Sequence, residues 1–313
     1  MKSKIVNRKL SIVNLFRIVI ILLSGSAMAQ QDPMYTQYMF NMLPINPAFA
    51  GSRDVISMTA LYRNMWYGVD GAPKTLTFSA DMPILKEKIG LGAVVNKDVI
   101  GKFDNTRLMA MASYRLRLSR GTLAFGMNFG VQNAVQNLGN NNLPNQNDTK
   151  FQNTSLWLPI VGSGIYYTTD RFYAGLSFPQ MITITFDPNS ASKDMASRQT
   201  QHMNLMAGYV IPLSPDYVLK PSVLWKTALG VPNQLDINCN FWMYNILGLG
   251  VSYRSLDAVS GLIEWQANEQ IRFGFAYDWP HTAINKYTFG SIEFMVRYEM
   301  GYNKSKVLSP RYF

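Results

Sequence analysis

Ten charged residues in this chain fall on the polar side of segments that alternate apolar and polar residues. They are the carboxylates Asp81, Asp236, Glu264, Glu293 and Glu299 and the guanidinium groups Arg107, Arg115, Arg254, Arg272 and Arg297. A pair of carboxylates can do general acid/base chemistry when one holds a proton that the other can take. Interleaved with arginines, the same carboxylates form a charge network more simply than a catalytic pair. The two histidines, His202 and His281, are isolated and have no neighbours at metal-ligand spacing. Cys239 is the single cysteine, which excludes an intrachain disulfide. It lies in the alternating run Leu235, Ile237, Cys239, Phe241, Met243 and reads as a small apolar residue rather than a nucleophile. No H-E-x-x-H, G-x-S-x-G, phosphate-binding loop or acidic calcium loop is present. These residues predict no enzyme, no metal and no cofactor.

Charges confined to one side of a segment require β-strands, because successive side chains of a strand point to opposite faces. Residues 291–302, SIEFMVRYEMGY, put Ile292, Phe294, Val296, Tyr298, Met300 and Tyr302 on one face. Glu293, Arg297 and Glu299 lie on the other. Comparable alternation marks 55–63, 76–82, 89–96, 108–118, 123–132, 161–169, 172–178, 203–211, 218–226, 235–243, 247–253, 259–267 and 271–277. The count is about fourteen, an even number, as bacterial outer-membrane barrels have. Glycine recurs on the polar faces (Gly126, Gly130, Gly162, Gly164, Gly248, Gly250), which suits a narrow or partly filled lumen. Short connections at 119–121 and 169–171 alternate with long polar ones at 133–154, rich in Asn and Gln, and at 179–199. Aromatic residues, among them Trp157, Tyr167, Trp225, Trp242 and Trp279, cluster near strand ends, where a headgroup boundary holds such rings.

Composition agrees with this architecture. Charged residues make up only 15% and aromatic residues 13%, an unusually charge-poor chain for a soluble protein. Residues 1–29 read as an export signal: Lys2, Lys4, Arg8 and Lys9, then the apolar 18–23, then Ala27-Met28-Ala29. Five of the 29 basic residues and none of the 19 acidic ones lie there, so the net +10 falls to +5 in the remainder. No dense Lys/Arg block supports nucleic-acid binding. A soluble sandwich with an aromatic core is the alternative, but the loops hold few charges and no polar surface pattern is left over. The expected fold is an all-β transmembrane antiparallel barrel over 54–302, with a tail at 303–313.

Residues 30–53, QDPMYTQYMFNMLPINPAFAGSR preceded by one further Gln, show neither strand alternation nor a good helix cap. Tyr35, Tyr38, Met39 and Phe40 would be costly to leave in water, so the segment is expected in or against the lumen or at the periplasmic rim. There Gln37, Asn41 and Asn46 could bond to wall groups.

This stretch, QQDPMYTQYMFNMLPINPAFAGS, resembles the opening signature of the PorP/SprF family of outer-membrane proteins of the type IX secretion and gliding machinery. A second block, Trp66-Tyr67-Gly68-Val69-Asp70-Gly71-Ala72-Pro73-Lys74-Thr75, is similar to that family's W-x-G-x-D-G-A-P-K-T segment, and Ser309-Pro310-Arg311-Tyr312-Phe313 to its closing residues. Phe49 departs from the usual Tyr. Physically the second block is a turn in which Asp70 and Lys74 could pair. Phe313 fits an aromatic C-terminal insertion signal for barrel assembly, and for the tail 303–313 as a whole an assembly signal, a plug and a docking strand are the open alternatives. The resemblance implies a non-enzymatic barrel that binds the C-terminal domain of a secreted, adhesin-like cargo. Other type IX components and outer-membrane lipid are the further expected partners. A small-molecule channel plugged by the N-terminal segment is the alternative. Candidate structural or partner residues are Tyr35, Tyr38, Phe40, Asn41, Asn46, Pro47, Trp66, Asp70, Gly71, Lys74, Arg311 and Phe313.

Overall fold

In the computed structural model, the described residues are 34–85, 87–137, 153–182, 201–228 and 231–301. Fifteen strands form one antiparallel sheet: β1 Ile56–Asn64, β2 Lys74–Ile84, β3 Ile89–Ile100, β4 Phe103–Leu118, β5 Gly121–Gln136, β6 Thr154–Thr168, β7 Phe172–Gln180, β8 His202–Tyr209, β9 Ile211–Pro212, β10 Tyr217–Ala228, β11 Val231–Met243, β12 Leu247–Arg254, β13 Ala258–Gln266, β14 Ile271–Pro280 and β15 Ser291–Met300. The sheet closes on itself, because β15 pairs with β1 from Ile56↔Met300 to Asn64↔Ile292. Closure removes both edges and their unpaired backbone groups.

β8 and β9 are one crossing, so the barrel has fourteen. The register is the same on both sides of the break, Gly208↔Ser222 and Ile211↔Leu219. The ladder lapses at the level of Pro221, which has no N–H to donate. The Val210 N–H points the other way, to the Arg171 carbonyl at 2.7 Å.

Alternation sorts each strand as the sequence predicts. On β1, Ser57, Thr59, Leu61 and Arg63 are buried inward while Met58, Ala60 and Tyr62 are exposed outward. Phe78, Leu91, Leu108, Phe125, Phe129, Ile237 and Phe294 extend the apolar outer face around the barrel. Connections at the end where β1 begins are tight: 85–88, 119–120, 169–171, 213–216, 244–246 and 267–270. This is called the turn end. The opposite, loop end carries 65–73, 137–153, 181–201 and 281–290.

β3 to β6 are longer than the alternating runs suggested, extending to Ile100, from Phe103, to Gln136 and from Thr154. Polar residues at their loop-end tips blur the apolar period there, although hydrogen-bonded pairing continues. The signal at 1–29, the tail at 303–313 with Arg311 and Phe313, and most of both long loops lie outside the described residues.

Candidate functional site

The lumen is occupied by the chain's own residues 34–53. From Met34 near the loop end the segment descends to Gly51 near the turn end and then enters β1. Nearly all of it is buried, including Tyr35, Tyr38, Phe40, Asn41, Asn46 and Pro47. Asn46 caps a short 3-10 helix, Pro47–Phe49, by accepting the Ala48 N–H at 2.9 Å, with Pro47 pre-set at the first helical position. The sequence reading that this stretch has no good cap is therefore wrong. A single turn of helix has no apolar periodicity from which it could be recognised.

The wall holds the segment largely through its main chain. The Glu293 carboxylate accepts the N–H groups of Thr36 and Gln37, each at 2.9 Å. Arg254 donates to the Tyr35 carbonyl, Ser177 to that of Ile45 and Ser113 to that of Ala50, while Asp81 accepts the Gly51 N–H. Within the segment, Arg53 returns to the Phe40 carbonyl at 2.9 Å. Side chains add register: Asn41 bonds Ser79, Asn46 reaches the Ile165 carbonyl, Tyr35 joins Thr77 and Asn96, and Tyr38 meets Ser222. Burial pushes the Tyr35 and Tyr38 hydroxyls above the ordinary tyrosine range, because an ionised ring would lose its water there.

Glycines let the segment approach the wall. A Cβ on Gly126 would lie 2.2 Å from the Ala48 nitrogen, and one on Gly90 1.9 Å from the Ala50 oxygen. Phe49 packs edge-on against Tyr166, with ring centroids 5.5 Å apart.

A buried ion network surrounds the segment's upper part. Arg63 contacts Asp278 at 2.5 Å and Glu293 at 3.0 Å, and donates to the Thr36 hydroxyl at 2.8 Å. Arg254 meets Asp236 and Asp257, each at 3.2 Å, and Lys226 lies 3.4 Å from Asp236. Of the ten charges read from the sequence, Asp236, Glu264, Glu293, Arg254 and Arg297 are almost fully buried inward. Arg63, Asp278 and Arg53 were missed. Arg63 occupies an inward position of a recognisable run, which was the available signal. Asp278 lies one residue past the predicted end of its strand.

The second motif is a loop, 65–73, that ties neighbouring hairpins together at the loop end. Trp66 donates its N–H to Ser291 at 3.0 Å, Tyr67 pairs with Gly290 and Phe289, and the Gly71 carbonyl accepts from Gly101 at 2.8 Å. Gly71 has φ +73°, which suits glycine. Asp70 and Lys74 are both exposed and form no ion pair, so the pairing expected from their spacing is corrected. Lys74 is the first residue of β2, and its side chain is exposed there.

Among known structures, the chain is similar to the outer-membrane protein Omp33 of Acinetobacter baumannii, at 7% identity over 78% of this chain and 96% of that one, TM-score 0.47. It is also similar to a Pseudomonas aeruginosa FadL homologue, at 12% identity over 88% and 97%, TM-score 0.47. No curated protein matches its sequence. The profile of the type IX secretion system membrane protein PorP/SprF matches residues 27–298. A fourteen-crossing barrel with an apolar outer face is the form such an outer-membrane protein takes, and the chain belongs to the PorP/SprF family of type IX secretion system membrane proteins.

Proposed function

We propose that this barrel is a non-enzymatic docking protein that binds the C-terminal domain of a secreted, adhesin-like cargo for export or surface attachment. The observation that carries this reading is the filled lumen. Residues 34–53 are bonded to the wall on strands as far apart as β2, β4, β7 and β15. A barrel packed in this way offers its partner the loop end rather than a passage. The turn end faces the periplasm, as short turns do in this class, and the outer apolar face contacts lipid. The long polar loops supply the cargo-facing hydrogen-bonding groups, and other secretion components complete the assembly.

Tyr35, Tyr38, Phe40, Asn41, Asn46 and Pro47 act by seating the segment, while Trp66, Gly71 and the loop that carries them hold the rim for docking. Affinity purification of the tagged protein from outer membranes tests the reading, with secreted proteins followed in a deletion strain. Co-purified cargo, and its loss from the surface on deletion, is the expected result. Normal abundance and location of every secreted protein would sink the proposal. Tyr38→Ala and Asn46→Ala should destabilise the barrel or abolish cargo retention, and unaltered folding and secretion in both would reduce the segment to a tether.

The channel reading has one observation in its favour, a cavity of about 100 Å³ between Tyr35 and wall residues Arg107, His202 and Lys226. Steady ion conductance of the intact protein in planar bilayers, with no secretion defect on deletion, would favour it.

A further inference from the structure

The inner segment is held in two different ways along its length. From Asn46 to Ala50 it lies against the wall glycines Gly90, Gly126 and Gly164, where backbone meets backbone or the Asn46 side chain. Arg53 returns from the far end to the Phe40 carbonyl at 2.9 Å. That clasp closes residues 40–53 into one unit and leaves 34–39 outside it. Residues 35–37 instead meet the loop-end lumen largely through groups that any peptide carries. Glu293 accepts the N–H groups of Thr36 and Gln37, one on each carboxylate oxygen, and Arg254 donates to the Tyr35 carbonyl at 3.1 Å. At the centre, the Thr36 hydroxyl donates to Asp278 at 2.9 Å and accepts from Arg63 at 2.8 Å.

The four wall residues come from β1, β12, β14 and β15, so closure of the barrel assembles them. Arg63 already bridges Asp278 and Glu293, which fixes the constellation before any peptide is added. The fit of the chain's own strap is incomplete. Gln37 is fully buried, yet its Oε1 has no hydrogen-bond partner among the described residues, a costly state for a buried acceptor. Beside Met34 and Tyr35 lies the cavity of about 100 Å³, lined by the apolar Ile45, Val94 and Met109 and by the amides Asn96, Gln180 and Asn204. A plug optimised for permanence would satisfy the first and fill the second.

We infer that the loop-end lumen is a peptide-binding site, occupied in this structure by the chain's own residues 34–37 and available to a partner's peptide in their place. The incoming segment presents two successive main-chain N–H groups to Glu293, a carbonyl to Arg254 and a Ser or Thr hydroxyl to Arg63 and Asp278. A small apolar side chain next to them fills the adjoining cavity. Residues 40–53 stay seated, so exchange opens the mouth without opening a passage. In identifying that peptide with part of a docked cargo the inference rests on the docking reading, whereas the site itself does not.

The test uses the full-length protein in detergent. In the unmodified protein, hydrogen exchange should show the amides of 35–38 opening well before those of 45–50, by local release rather than global unfolding. Thr36→Pro removes the N–H and the hydroxyl together and should free the strap. A dye-labelled peptide of residues 32–39 should then bind saturably, followed by anisotropy. It should bind the parent at least tenfold more weakly, because the tethered strap competes at an effective concentration of about millimolar. Methylating the two peptide nitrogens that correspond to Thr36 and Gln37, or changing its Thr to Val, should weaken binding by roughly tenfold or more. The proposal is overturned if 35–38 exchange only with global unfolding, if a folded Thr36→Pro protein shows no saturable binding, or if the methylated peptide binds equally well. Specific peptide binding together with normal secretion in a deletion strain would keep the site and discard the cargo reading.

Discussion

Gly126 on β5 and Ala48 of the inner segment are in backbone contact, and a Cβ on Gly126 would lie 2.2 Å from the Ala48 nitrogen and 2.4 Å from its Cα. Both obstructing atoms are backbone, so no side-chain rotation relieves the overlap. Gly126→Val should therefore push the Pro47–Phe49 turn off the wall while the outer face of the barrel stays intact. Limited proteolysis of the folded protein is expected to cut the segment in this variant and not in the parent. Gly261→Ala, whose Cβ would meet only Trp279 at 3.6 Å, serves as the control and should leave the pattern unchanged.

Arg63→Met should be strongly destabilising. Its guanidinium sits between Asp278 and Glu293 with all three side chains almost completely buried, and its loss leaves two carboxylates without their central cation. A cost of about 3–5 kcal/mol is expected from breaking such a pair on one side. Urea titration read by heat-modifiable mobility measures it. Combining Arg63→Met with Glu293→Gln should cost less than the sum of the single changes, because the second removes a charge that the first exposes. Strict additivity would mean that the network is not coupled.

Alkali should loosen the inner segment. Tyr35 and Tyr38 have folded-state pKa values raised by burial, whereas the unfolded chain titrates them near 10. The neutral hydroxyl is the form the lumen accepts. The associated stability is fully present below about pH 10 and is lost as pH rises above it, since only the unfolded state then readily releases the protons. Replacing both residues by Phe should flatten the fall in unfolding midpoint above pH 10 relative to the parent. An identical slope in parent and double variant would show that neither ring opposes ionisation.

Much of the barrel was legible in the chain because period two is a local property. Each run, such as 291–302, shows on its own which side chains share a face, and an even set of runs implies closure of β15 on β1. The inward destination of Glu293 and Arg297 followed from the same alternation. The Asn46 cap, the roles of Arg53 and Asp278 and the lack of an Asp70–Lys74 pair did not. A single helical turn has no period, and a pair across a turn depends on backbone direction rather than spacing.

The sequence by itself determined that the chain forms alternating strands with an apolar and a charged face, and it carried the family signature. Only the tertiary structure decided which inward groups meet. Thr36 and Glu293 are 257 positions apart, and their contact exists because closure, register and the descent of residues 34–53 bring opposite walls to one lumen. Alternation assigns each side chain a face. It carries no information about what stands across the lumen, because that distance is set by how many strands close and how they are staggered.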